Sequence, residues 1–144
     1  MLGPVMLAQV LLSAAISESP ATVERVHYFD VEGATAADIF ADLKRRGPNA
    51  GGGLHALAST QAEYRHESTL AYAAGGPCRA TNIEVSLTLT FTIPRWAGES
   101  EASASVRAWW SDLIAEIWDH ERGHAAIAVD GARQIRSALE EAPP

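Results

Sequence analysis

The stretch IEVSLTLTFTI, residues 83–93, alternates apolar and polar side chains without a break. Successive side chains of a strand point to opposite faces. Ile83, Val85, Leu87, Leu89, Phe91 and Ile93 therefore share an apolar face, and Glu84, Ser86, Thr88, Thr90 and Thr92 a polar one. This predicts a long half-buried strand, antiparallel to those before it and stopped by Pro94. From Ser103 to Leu139 the period changes to that of a helix: Val106, Trp109, Trp110, Leu113, Ile114, Ile117, Ile127, Ile135 and Leu139 fall mostly on one side, with Ser100 or Ser103 as N-cap. Gly123 and Gly131 interrupt that run, and Gly131 is a point where the helix ends or divides.

Upstream, residues 26–31 (VHYFDV) are β-branched and aromatic and read as a strand ending at Glu32-Gly33. Thr35 and Asp38 resemble a capping box, and Ala36, Ile39, Phe40 and Leu43 recur at helical spacing before Gly47-Pro48. Residues 49–53 (NAGGG) read as a flexible loop, and strand-like pieces lie around 56–64 and 68–73. The fold class is α+β: a small antiparallel sheet packed on a long C-terminal helix, with one short N-terminal helix.

The chain has 144 residues with 47% hydrophobic, enough for one domain with a real core and too few for two ordinary domains. A formal charge of −7 argues against nucleic acid or an anionic membrane as the main partner. The basic cluster Lys44-Arg45-Arg46 reads as a helix end with its cations near the last carbonyls. Cys78 has no partner in the chain, which excludes a disulfide framework. Residues 1–21 carry one charged side chain, Glu18, and an apolar run of about a dozen residues, too short to anchor in a bilayer. They read as an export signal followed by a single domain over 22–144, working in a secreted or periplasmic location; a packed N-terminal helix is the alternative.

The chemistry lies in His120-Glu121-Arg122-Gly123-His124, an H-E-x-x-H match that chance gives this composition roughly 0.014 times per sequence. Residues four apart lie about 40° apart around a helix, so both imidazoles can bind one tetrahedral zinc. Glu121 flanks that position as a general base that takes a proton from the metal-activated water. At 100° per residue, Trp109, Leu113, Ile117, Ile127 and Ala138 share the face of the two His residues, so the imidazoles are expected to point at the core or the underside of the sheet. Asp112 and Glu116 extend that stripe, either as acceptors that orient an imidazole or as a solvated edge. Gly123 suggests a close approach by a substrate or strand, or only a flexible helix.

The spacing does not choose a third ligand. Asp130 stands six residues after His124, but Ile127 occupies the place of the turning glycine found in proteins with that spacing. Glu140 and Glu141 can reach the site only if the chain folds back near Gly131. His66, Glu67, His27 and His55 can reach it only from strands or loops.

The opening from Val26 to Pro48, the strand ending Ile93-Pro94-Arg95-Trp96, and the Trp109–His124 helix with its motif resemble a bacterial domain family described as predicted secreted zinc-dependent proteases, domain of unknown function 922. The resemblance spans roughly residues 24–140. It implies a zincin-like arrangement, with the motif helix under an antiparallel sheet whose edge strand receives an extended peptide. It also implies His120 and His124 as metal positions and Glu121 as base.

Two functions of different class follow. One is a zinc-dependent metallopeptidase acting on a peptide or protein substrate, neither nucleic-acid-binding nor an integral membrane protein. The other is a non-catalytic envelope domain in which the same residues hold a structural metal or a His/Glu cluster while the sheet edge binds a partner by strand addition. A Ser or Cys nucleophile is unsupported, since Cys78 lies in a Gly-Pro turn, and Gly51-Gly52-Gly53 lacks the Lys and Ser/Thr of a phosphate loop.

Overall fold

A computed structural model describes residues 19–142. The export-signal reading therefore falls almost wholly outside the described residues, and among these no helix is long and apolar enough to cross a membrane. The elements run β1 (Ala21–Val31), α1 (Ala36–Arg46), β2 (Asn49–Gly51), β3 (Leu54–His55), β4 (Ser59–Tyr72), β5 (Cys78–Trp96), a 3-10 turn (Glu99–Glu101) and α2 (Ala104–Glu141).

The alternating stretch forms the middle of β5, the central strand of a three-stranded sheet ordered β1-β5-β4. Its apolar face is sealed: Leu87, Leu89, Phe91 and Ile93 are at most 1% exposed, each such burial contributing about 1.5–3 kcal/mol. Ile117, Ala125, Ala128 and Ala132 of α2 lie against that face, and Trp118 tilts onto Phe91 with ring centroids 5.4 Å apart. A second cluster closes the end of the sheet where β1 and β5 finish: Val31, Ile39, Leu43, Trp96 and Trp110 pack together, and the Trp96 indole donates to Gly33 O at 3.1 Å.

Four local expectations change. β4 does run antiparallel to β5, but β1 runs parallel to it, Ala21 facing Ser86 and Val31 facing Trp96, so the sheet is mixed. Alternation decides which face is buried and carries no information on direction; the parallel neighbour needs a long crossover, which α1, the β2–β3 hairpin and β4 supply. Pro94 does not stop β5. The last β4 partner is Ser59 opposite Thr92, so at Pro94 the strand has a neighbour on one side only, a place that tolerates a missing N–H. The glycine loop is a two-stranded hairpin, β2 on β3, whose turn takes φ of +92°, +59° and +77° at Gly51, Gly52 and Gly53. The strand-like pieces upstream are one strand, β4, with a register irregularity between Glu67 and Thr69.

Both helix starts are as the capping residues indicate. Thr35 accepts from Asp38 N at 3.2 Å and Ser103 from Val106 N at 3.4 Å. α2 continues through Gly123 and Gly131 for 38 residues; a Cβ at Gly123 would meet nothing within 4 Å, so no close approach accounts for that glycine.

Asp42 on α1 is buried among its partners. It accepts the Glu32 N–H at 2.8 Å and pairs with Arg45 and Arg46, tying the helix to the end of β1. The Glu32 N–H, then the two guanidinium groups, hold its carboxyl below the usual 3.8 against the opposing effect of burial. A depressed folded value means that the stabilisation is present above that pH and is lost as pH falls through the folded value. Asp42→Asn is therefore expected to lower the urea midpoint at pH 7, with the gap from the parent protein narrowing as pH is brought well below 3.8.

Candidate functional site

Position 121 places an ionisable side chain on the buried stripe of α2. Trp110, Ile117, Glu121, Ala125, Ala128 and Ala132 are the buried residues of that helix, so Glu121, 4% exposed, sits where an apolar residue would ordinarily stand. Its carboxylate faces β4. Thr60, opposite Phe91 in the sheet and therefore on the helix side, places its hydroxyl 2.6 Å from Glu121 Oε2 and 3.2 Å from the Glu121 carbonyl oxygen. Burying an ionisable side chain is costly unless it is hydrogen-bonded, and Thr60 supplies that bond across the edge strand.

His120 and His124 flank this stripe on the solvent side. Both are exposed, which corrects the expectation that they point into the core. The helix is rotated so that Glu121 rather than the imidazoles meets the sheet, and Ile127, expected on the core face, is 71% exposed. The two rings meet edge to face with centroids 4.7 Å apart, and their Nε2 atoms stand 3.1 Å apart. Two nitrogens on one tetrahedral ion with bonds of 2.0–2.1 Å would lie about 3.3 Å apart. The spacing of the imidazoles thus fits a shared cation without rearrangement of the helix.

No third donor joins them: among the described residues no group of three or more His, Cys, Asp or Glu is placed to hold a metal ion. Asp130 is exposed and accepts from Gln134 at 2.7 Å. Glu140 pairs with Arg136 at 3.0 Å, and because α2 is unbroken it lies about 24 Å along the helix from His124, with Glu141 further on. His66 lies on β4 opposite Val85, six residues and about 20 Å along the strand from Thr60. His27 is opposite Thr92 on the polar face of the sheet, Glu67 opposite Glu84 on that same face, and His55 Nδ1 is engaged with Gly47 O at 2.6 Å.

Beside the motif lies a cleft of about 320 Å³, lined by Ala56, Leu57, Ala58, Leu113, Glu116, Ile117, His120 and Glu121. Glu116 is exposed at this cleft, and Asp112 one turn earlier is exposed as well. The turn before β4 and residue Thr60 are therefore parts of the site that the motif spacing did not reveal. The available signal was the period-2 series Ala58, Thr60, Ala62, Tyr64, which sets a hydroxyl on the helix side.

A family of bacterial proteins of unknown function, DUF922, matches residues 26–144, from the middle of β1 to the end of the chain. The chain belongs to this family. No curated protein and no solved structure matches it. The DUF922 match contains α1, the whole β4–β5 pair and α2, so the His pair, Thr60 and the cleft all lie within the family domain.

The Thr60–Glu121 bond gives a direct test of the site's architecture. Thr60→Val keeps shape but leaves a buried carboxylate without its donor, and should destabilise the protein by about 1–3 kcal/mol in urea unfolding, whereas Thr60→Ser should cost well under half of that.

Proposed function

We propose that this chain is an exported zinc-dependent peptidase of zincin-like arrangement, with His120 and His124 holding the ion and Glu121 moving the proton. The observation that carries this reading is the convergence of two exposed imidazole nitrogens to 3.1 Å beside a buried carboxylate that lines the same cleft. Zinc bound there would polarise the scissile carbonyl and make an attacking water more acidic.

The chain's own groups divide the remaining work. His120 and His124 project from an exposed edge of α2, open to a protein-sized substrate. Glu121 has one carboxylate oxygen taken by Thr60, which fixes the group and leaves the other oxygen to accept a proton. As water adds to the peptide carbonyl carbon, Glu121 takes its proton; as the C–N bond breaks, the same carboxyl returns that proton to the amine leaving group. β4 is an edge strand, exposed throughout 61–72, and it runs past Glu121 at Thr60, so an extended substrate can pair along it beside the motif. That same exposed edge favours a second reading, a non-catalytic envelope domain that binds a partner by strand addition.

The two readings part at Glu121. Glu121→Gln retains an amide oxygen for Thr60 to donate to, so the fold should persist. With a peptidase, elemental analysis should find near-stoichiometric zinc in the parent protein and in Glu121→Gln but not in His120→Ala, and Glu121→Gln should lower peptide turnover by about 10²–10⁴-fold. Absence of zinc from the parent after dialysis against excess metal would refute the peptidase and leave strand addition as the function.

A further inference from the structure

The cleft beside His120 is walled by Leu57, Ala58, Leu113 and Ile117, and apart from the motif residues its lining contains one charged side chain, Glu116. Its floor is closed, with Ala58 7% and Ile117 6% exposed, while Leu57 and Leu113 are half-buried and leave apolar surface in contact with water. At about 320 Å³ it stands at the lower end of small-ligand pockets, with space for one or two side chains and none for a folded partner. Glu116 is exposed and engaged in no ion pair among the described residues, and the chain as a whole carries a formal −7. A cationic group on the occupant would meet complementary charge, and an acidic one would be repelled. The cleft is continuous with Glu121 and His120, which lie in its lining.

We propose that this cleft is a subsite for one large apolar side chain of a peptide, with Glu116 receiving a Lys, Arg or free amine on the adjoining residue. The assignment rests on the peptidase reading for its peptide, but the cleft's apolar walls and single unpaired carboxylate define its selectivity without reference to turnover. Peptides with a basic residue next to Leu, Phe or Met are the preferred class, and those pairing an acidic residue with Ala or Gly are the disfavoured one. The cleft is open to solvent, so its discrimination falls at the lower end of what apolar pockets achieve.

The test is an NMR titration of the metal-free protein with acetyl-Lys-Leu-amide, acetyl-Lys-Ala-amide and acetyl-Glu-Leu-amide. Amide shifts should centre on residues 56–58, 113 and 117, with affinity for the Lys-Leu probe about tenfold above Lys-Ala and about threefold above Glu-Leu. Ala56→Trp, at the rim, should abolish the preference for Leu over Ala. The surface change Glu116→Lys should invert the charge preference while keeping the apolar one. Equal affinity for the Leu and Ala probes, or shifts centred elsewhere, would overturn the subsite. The same probes offered to zinc-loaded protein separate the two ideas: selective binding with no cleavage of any peptide refutes the peptidase alone, and cleavage without discrimination between Leu and Ala refutes the subsite alone.

Discussion

A buried carboxylate held by one hydroxyl is the constraint on which the arrangement of this domain depends. α2 covers the apolar face of β5 through a stripe made largely of Ala125, Ala128, Ala132 and Ile117, and Glu121 interrupts that stripe with a carboxyl group. Such a group is tolerated only where a donor is built in, and the donor comes from Thr60 on the neighbouring strand. The bond is made at the same rotation of the helix that packs Ile117, Ala125, Ala128 and Ala132 on the sheet. With Glu121 turned towards β4, residues one before and three after it come to the solvent edge, and these are His120 and His124. Burial of the acid and exposure of the bases are two results of one rotation.

Much of this was legible in the sequence because it depends on short-range periodicity. The run from Ile83 to Ile93 stated which face of β5 is buried, the hydroxyls of Thr35 and Ser103 marked both helix starts, and the i, i+4 spacing of the histidines brought their nitrogens together. The rotation of α2 was not legible. Its contact face in the second half is alanine, which carries little hydrophobic signal, while the large Ile127 drew the apparent apolar face towards the histidines and yet is 71% exposed. Small side chains let a helix lie close to a sheet, and a reading weighted by side-chain size overlooks them. Gly131 shows the same effect: it reads as a break, and it is the place where the Tyr64 hydroxyl comes within 3.0 Å of where a Cβ would stand.

The partners of the site were beyond the motif for a different reason. Thr60 and the 56–58 turn reach α2 across a sequence distance of some sixty residues, and only the register of β4 on β5 places them opposite Glu121. The ligand candidates further down α2 were open while a break at Gly131 remained conceivable; a continuous helix carries Glu140 and Glu141 away and turns Asp130 to its own neighbour Gln134.

The parallel pairing of β1 with β5 also orders the events of folding. β4 and β5 are adjacent in the chain, so their pairing starts from the short turn between Tyr72 and Cys78. β1 pairs with residues about 65 positions later, Ala21 with Ser86 and Val31 with Trp96, and bears a larger closure entropy. During synthesis β1 emerges well before its partner β5 has been made. On loop closure alone, β1 thus docks after β4, on the free edge of a β5 strand that already has its antiparallel neighbour.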